Sequence, residues 1–550
     1  MEHRFLRTPA ALCCLALLLV ACTGNDDTPG PNATAGEQGF EEGVLEPGAT
    51  EASPIFEEGD AVLNVAIPEP ATLDPMRIQD PGSALVARQL YEGLTRWDPV
   101  LERVRPAAAE AWRASPDGTT FLFRLRPGMT FHDGSPVTAQ SFVFAFDRLA
   151  LKSNAADLAY TLEDVAGFEE VNRAGTAGHL SGMIAQDELT LLIRLSRPNH
   201  EFPVVLTHPG LVPLSRRAAG DVDTFLAQPV GNGPFQMAEP WSPGESVTLR
   251  AYPGFIRTPD LDGIRFLIYP DSAASWVDFV RGRLHVAEVP FGQIPAAEER
   301  YGAEGFIPFL KSEYSGLNLA SPGLQDRDLR RAINFGIDRE AIAGTIYRGT
   351  MSPPRGIVPT GVPGFQENLC VELCTHDPGR ARRLVADVPR RMRRVTIEYT
   401  TGGPEADVAR FVQRDLAGIG IRVKRNGYPF PKFLRRLQEN KHQVFRLGWI
   451  AEYPSPDVFL APLFTSSSSD NHFGFSSAKV DDLLAQARRA ASDGKRLQLY
   501  IEAEKEIMRL SPIVPLGSFT THWAAQDDVR GIRFDVMGGF DAAEISLAED

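Results

Sequence analysis

Between residues 120 and 149 the side chains change period twice. Phe121, Phe123 and Leu125 alternate with Leu122, Arg124 and Arg126, the period-2 pattern of a strand with one buried face. Pro127-Gly128 breaks that alternation. After Met129-Thr130-Phe131 the polar run His132-Asp133-Gly134-Ser135-Pro136 predicts a turn. Thr138 then stands where it would cap a helix whose Phe142, Val143, Phe146 and Leu149 fall on one stripe. The stretch therefore predicts strand, turn, loop and capped helix, in that order.

The rest of the chain carries the same two periods in alternation. Strands are predicted at 61–67, 188–195, 246–250 and 264–269, with a helix running up to Tyr91 and another between Trp276 and Val289. The second half alternates strand and helix: strand 395–400, helix 404–418, strand 421–424, helix 430–439, strand 444–448. That is the order of βαβ units, in which helices cover a sheet. Helices at 480–491 and 495–509 lead into a strand at 513–516 expected to return to the first half, and Asp338-Arg339 is placed to cap a helix. Periodicity alone gives an α/β or α+β chain, with no internal repeat.

The motifs narrow that class. LRPGMTFHDGSPVTAQSFVFAFDRL, from Leu125 to Leu149, resembles the hallmark of the bacterial extracellular solute-binding proteins of the peptide/nickel class, family 5, which deliver ligands to ABC importers. Further matches follow in the order that family shows: Leu73-Asp74-Pro75, Tyr91-Glu92-Gly93-Leu94, Glu110-Ala111-Trp112, the run 229–235, the run 329–339, and Gly448-Trp449 through Tyr453-Pro454. The resemblance implies an α/β, periplasmic-binding-protein-like fold: two hinged lobes around a ligand cleft, with an extra N-terminal domain on one of them. Its boundaries would be a discontinuous lobe I at 59–92, 225–308 and 513–545, an extra domain at 93–224, and lobe II at 309–512. It also implies a monomeric receptor, not an enzyme, that uses no cofactor and hands a small ligand to the transmembrane subunits of a permease: a peptide above all or, on the same fold, a non-peptide solute such as a sugar, an opine or a chelated metal.

Length and charge fit this picture and exclude others. A chain of 550 residues is too long for one core. Its net charge of −15 is uneven, because residues 23–60 hold ten acids and no Lys or Arg. Removing those ten and the +1 of residues 1–22 leaves −6 for residues 61–550, which argues against a nucleic-acid partner. The segment 23–58, rich in Gly, Pro, Ala and acid without apolar period, reads as a disordered tether. Ahead of it, Arg4 and Arg7 precede an apolar run from Ala10 to Val20, a secretory signal too short to span a bilayer as a folded helix. Its ending, Leu19-Val20-Ala21-Cys22, is similar to a bacterial lipobox, which would make Cys22 a lipid-modified first residue and the protein exported and membrane-anchored through its acyl chains alone. Cys13 and Cys14 would leave with the signal. Cys370 and Cys374 then remain, a pair read as a small disulfide loop rather than free thiols, with a spacing and surroundings poor for a metal such as zinc.

Catalytic patterns fail: the chain has no Gly-x-Ser-x-Gly, no His-Glu-x-x-His and no phosphate loop. His132-Asp133 reads as a turn, and Gly231, Gly233 and Pro234 as a tight turn between domains. The richest stretch runs from Val444 to Asp457. It begins as a strand and ends in a loop broken by Pro454 and Pro456, the place where open α/β sheets put ligands. In peptide-binding members of the family, a strand-end Gly-Trp followed by an acid and Tyr holds the ligand, the acid pairing with its terminal ammonium. Here those residues are Gly448, Trp449, Glu452 and Tyr453, with Glu where the family usually has Asp. Trp449 would supply an apolar wall that can also face a cation, and Arg446 a bidentate contact to a ligand carboxylate.

Overall fold

Two strands run from one half of the molecule into the other. Phe306–Leu317 and Ile513–Ala525 pair antiparallel at the centre of an eleven-stranded sheet in a computed structural model that describes residues 56–216, 220 and 222–548. On one side of them lie Val444–Ile450, Arg394–Thr400 and Arg422–Tyr428. On the other lie Val286–Glu288, Val62–Ile67, Gly263–Ile268, Val247–Ala251 and Phe235–Met237. The signal, Cys22 and the tether up to residue 55 lie outside the described residues. Phe56 does not belong to a free tether: its ring lies against Gly263 and Arg265, so the folded body begins before residue 59.

The ladder between the long strands is interrupted where the two halves meet. Phe306, Ile307 and Pro308 pair with His522, Thr521 and Thr520. Regular pairing then fails until Ser312 meets Ser518, and the register shifts again between Glu313 and Tyr314. Pro308 has no N–H to give a ladder. Around the break, Phe306–Phe309 and Ser518–Thr521 are only half-buried, while both flanks of Ile513–Ala525 are buried. The change of lobe therefore falls inside this strand, near Ser518–Thr520, and not at residue 513. Ile513–Leu516 pairs within the second lobe, and only the continuation returns to the first, at Trp523, Ala524 and Ala525 against Val286–Glu288.

Each half covers both faces of its sheet, the two-lobe α/β arrangement. In the second lobe, helices Pro456–Phe464, Ala478–Arg489 and Asp493–Leu510 cover one face over Tyr314, Phe445 and Ile513. Helices Arg327–Gly336, Pro378–Ala386 and Glu405–Gly418 cover the other over Leu317, Ile397 and Val514. The strand–helix–strand run Arg394–Thr400, Glu405–Gly418, Arg422–Tyr428 forms a parallel pair, as its alternation predicts. Asp338 caps the short helix Arg339–Ile342 through Ala341 N–H. Asn318 sits inside this lobe, bonded to His442 O and Ala320 N–H.

The stretch 120–149 is the frame of a separate domain inserted in the first lobe. Thr120–Leu125 pairs with Ala109–Ala114 on one edge and Thr190–Arg194 on the other, and Met183–Ala185 completes a four-stranded antiparallel sheet. Thr138 and Ser141 form a reciprocal capping box at the start of helix Ala139–Ala150. Phe121, Phe123, Phe142 and Phe146 are all exposed by 1% or less, and each burial stabilises by about 1.5–3 kcal/mol. Their cluster continues without a gap into the first lobe through Leu63, Val65, Phe235 and Phe266. His132 closes that seam: its ring accepts from Gly231 N–H at 3.1 Å and meets Gly233 O at 3.1 Å. Burial pushes its imidazole down to about 4, against the Gly233 carbonyl and Asp133. Gly231 is there for closeness rather than for a turn, since a Cβ would fall 1.8 Å from Leu90 O.

Candidate functional site

The loop that leaves Val444–Ile450 begins beside the break in the long strands. Trp449 pairs with Ser312 and Ile450 with Lys311, and Ala451 N–H then bonds to Leu310 O at 2.8 Å. Pro454 and Pro456 stop the strand from continuing, and Ser455 caps helix Pro456–Phe464, whose Pro456 stands in the first turn where no N–H is needed. The loop 451–455 is thereby fixed at both ends and turned toward the inserted domain.

Glu452 is the group on this loop whose carboxyl is perturbed. Its Oε2 accepts a hydrogen bond from Tyr160 Oη of the inserted domain, and His208 Nε2 lies 3.8 Å from the same oxygen. Burial pushes the carboxyl up to about 7, partly opposed by the Tyr160 hydroxyl. Burial, with Arg88 nearby, pushes the His208 imidazole down to about 3. The distance is that of an ion pair, yet His208 is neutral at pH 7 and supplies no positive charge. Among the described residues no Lys or Arg pairs with Glu452. A largely buried carboxyl without a cation is costly to ionise, so it keeps a proton or takes a partner from outside the chain.

The neighbouring residues are placed differently. Trp449 is half-buried against the apolar cluster of the second lobe, and its indole N–H is sealed without a hydrogen-bond acceptor. Tyr453 packs the other way, against the core shared by the inserted domain and first lobe. Arg446 is 2% exposed, and its two terminal nitrogens are spent on Glu313 and Tyr347 Oη. Burial works against Glu313, but Arg446 and Lys311 hold its carboxyl below the ordinary range. Gly448 leaves room for this pair, because a Cβ there would lie 2.9 Å from Glu313 Oε1. Arg446 and Gly448 thus hold the strand that carries the loop, and Arg446 has no free fork for a ligand carboxylate.

A cavity of about 140 Å³ lies on the first-lobe side, lined by Arg88, Glu92, Arg96, His208, Arg257 and Asp535 among others. Trp449, Glu452 and Tyr453 do not line it; cavity and loop meet at His208. Tyr160, His208 and Glu313 carried no signal in the sequence, since each acts through a contact with a residue more than a hundred positions away. Cys370 and Cys374 are joined by a disulfide in the second lobe, where Cys374 O accepts from Arg339 Nη1 at 3.1 Å. Among the described residues no group of three or more His, Cys, Asp or Glu is set to hold a metal, and no helix is long and apolar enough to cross a membrane.

Comparison with known proteins supplies the context for this geometry. Residues 103–471 match the model for bacterial extracellular solute-binding proteins, family 5 middle. The dipeptide-binding protein of Escherichia coli (strain K12) is 24% identical over 485 residues, covering 83% of this chain and 89% of that protein. A probable deoxycholate-binding periplasmic protein of the same organism, YgiS, is 28% identical over 465 residues, 82% of this chain and 86% of its own. Among solved structures, the unliganded open form of the periplasmic murein tripeptide binding protein MppA superposes with a TM-score of 0.76 at 21% identity, over 90% of this chain and 98% of that one.

Proposed function

This chain belongs to the bacterial extracellular solute-binding proteins of family 5, and on that footing we propose that it captures short peptides in the cleft beside Glu452 and delivers them to an ABC permease without chemically altering them. The observation that carries the reading is the Glu452 carboxyl, enclosed by neutral groups and lacking a cation of its own. A peptide ammonium brings the missing charge into a site from which water is excluded, where a paired charge is strong and an unpaired one costly. Trp449 gives a flat apolar wall next to it. Backbone pairing along the strand edges would hold a peptide main chain irrespective of its side chains. Cys22 would tether the mature protein to the membrane by its lipid.

A second reading keeps the fold and changes the ligand. A carboxyl that titrates near neutrality also donates a hydrogen bond when protonated. It can therefore serve a hydroxyl-bearing or acidic solute, and one relative carries the name of a deoxycholate binder. Native mass spectrometry of the purified protein separates the two. A ladder of short-peptide masses that disappears on denaturation supports the first, and a single non-peptide mass retained in place of any peptide favours the second.

A further inference from the structure

The loop carrying Glu452 is fastened to the inserted domain at a second point. Glu201, 6% exposed, reaches across from the start of the short helix Phe202–Val205. Its Oε2 accepts from Ser455 Oγ at 2.8 Å and from Tyr500 Oη at 2.7 Å, and its Oε1 lies 3.5 Å from Arg496 Nε. Ser455 Oγ meanwhile accepts Asp457 N–H as the cap of helix Pro456–Phe464, so its single hydroxyl proton is free to go to Glu201. Next to it, His200 N–H bonds to Arg488 O at 3.0 Å.

Both ends of this link are rigid. On the inserted domain, Asn199 Oδ1 accepts Glu201 N–H, Asn199 Nδ2 bonds to Asp164, and Asn199 N–H bonds to Gly118 O. On the second lobe, Arg496 is tied to Ala490 O and Asp493, and Arg488 grips Asp457 with a two-pronged pair at 2.6 and 3.0 Å. Between these anchors the loop is held at Glu452 by Tyr160 and, three residues on, at Ser455 by Glu201.

We propose that Glu201 is a positioning residue for ligand capture: by binding Ser455 and Tyr500 across the boundary between the inserted domain and the second lobe, it fixes the loop that presents Glu452. Its carboxylate takes two hydroxyl donors from the second lobe and lies beside the Arg496 guanidinium, so removing it leaves Ser455 and Tyr500 without their common acceptor. Glu201 touches no ligand in this scheme. It acts through Ser455, so it sets how long a ligand is kept rather than which charge is chosen.

The inference rests on the cleft being the ligand site, and the experiment keeps the two claims apart. The probe is the tightest-binding member of a synthetic tri- to pentapeptide library, its dissociation rate measured on the full chain, alongside the radius of gyration of the ligand-free protein by small-angle X-ray scattering. Glu201→Ala is expected to raise the dissociation rate about 10- to 100-fold and to enlarge the ligand-free radius of gyration, while loss of the ligand's ammonium costs wild type and variant the same factor. Glu201→Gln keeps an acceptor oxygen for Ser455 and Tyr500 and should recover most of the rate. Tyr500→Phe, which removes one donor from the opposite lobe and guards against misfolding of the first variant, should raise the rate about threefold. Unchanged rate and unchanged radius in both Glu201→Ala and Tyr500→Phe overturn the proposal. If no library member binds, the peptide reading falls, and the radius of gyration of the same variants still decides whether Glu201 holds the lobes together.

Discussion

The inserted domain has two boundaries built from opposite materials. Toward the first lobe it has no edge at all: Phe121, Phe131, Leu206 and Leu211 belong to one apolar cluster with Leu63, Val65 and Phe235. Toward the second lobe its contacts are mostly polar, at Tyr160 with Glu452, His200 with Arg488, and Glu201 with Ser455, Tyr500 and Arg496, with Tyr453 as the apolar exception. An apolar seam loses its stabilisation as soon as water enters, so it stays shut. A polar seam exchanges its bonds for bonds to water at small net cost, so it can open and close repeatedly. The two boundaries differ in kind: the domain shares its core with lobe I and meets lobe II through exchangeable polar bonds.

The comparison breaks most sharply at the apolar seam. Phe131→Ala, at 1% exposure and with its carbonyl held by Tyr252 Oη at 2.8 Å, should cost about 3–5 kcal/mol. Chemical denaturation should show the inserted domain and first lobe unfolding in one transition; separate transitions would mean the core is not shared. The polar seam responds in binding instead. Glu452→Gln should leave the melting temperature near that of wild type at pH 5, where the Glu452 carboxyl holds its proton, but at pH 8 weaken an ammonium ligand by about 2–5 kcal/mol, roughly 30- to 4,000-fold. N-acetylating that ligand should cost the wild type a similar amount and the variant much less, since both changes delete one pair.

Acidity sharpens the contrast further. The Glu452 carboxyl is raised in the folded state, so above the ordinary glutamate range the unfolded chain binds fewer protons than the native one, and Glu452 lowers the stability of the free protein as pH rises from about 4.5 to about 7. An ammonium ligand selects the ionised form. Its affinity should therefore climb about tenfold per pH unit up to about 7 and then level off, releasing a proton on binding. Calorimetry in buffers of different ionisation enthalpy measures that proton, and Glu452→Gln should abolish the slope; a slope that survives the substitution would assign it to another group, such as Glu92, which burial also raises to about 7. The smallest effect is expected from Tyr160→Phe. The hydroxyl lowers the Glu452 pKa, so its removal should move the midpoint of this pH dependence upward and change affinity at pH 8 by about 1 kcal/mol or less.

The elements that announced themselves in the sequence are those whose side chains see one environment per face. Phe121-Phe123-Leu125 faces a core on one side and solvent on the other, Thr138 caps its helix through local bonds, and the alternation from Arg394 to Tyr428 is a local strand–helix–strand unit. The longest strands stayed hidden for the converse reason. Phe306–Leu317 reads FIPFLKSEYSGL, with no alternation, because it is half-exposed at the lobe junction and then buried on both faces, and it hides Glu313 inside only because Arg446, distant in sequence, meets it there. Of Ile513–Ala525 only the apolar start, 513–516, was legible as strand; from Ser518 to Thr521 it is half-buried where it crosses between the lobes, and carries no clear period. Motif position pointed to Glu452 and Trp449; the surroundings of Glu452 could not be seen, since Tyr160 and His208 reach it, and Glu201 reaches Ser455 on the same loop, only through the tertiary fold.

The paired long strands also set how the molecule can bend. Two beams laid side by side and bonded along both ends, with a short unbonded window between, flex easily in the direction that folds the window and resist torsion, because twisting would shear the ladders at Phe306–Pro308 and at Ser312–Gly316. Any movement of one lobe against the other would then be steered toward bending about that window rather than twisting along the strands.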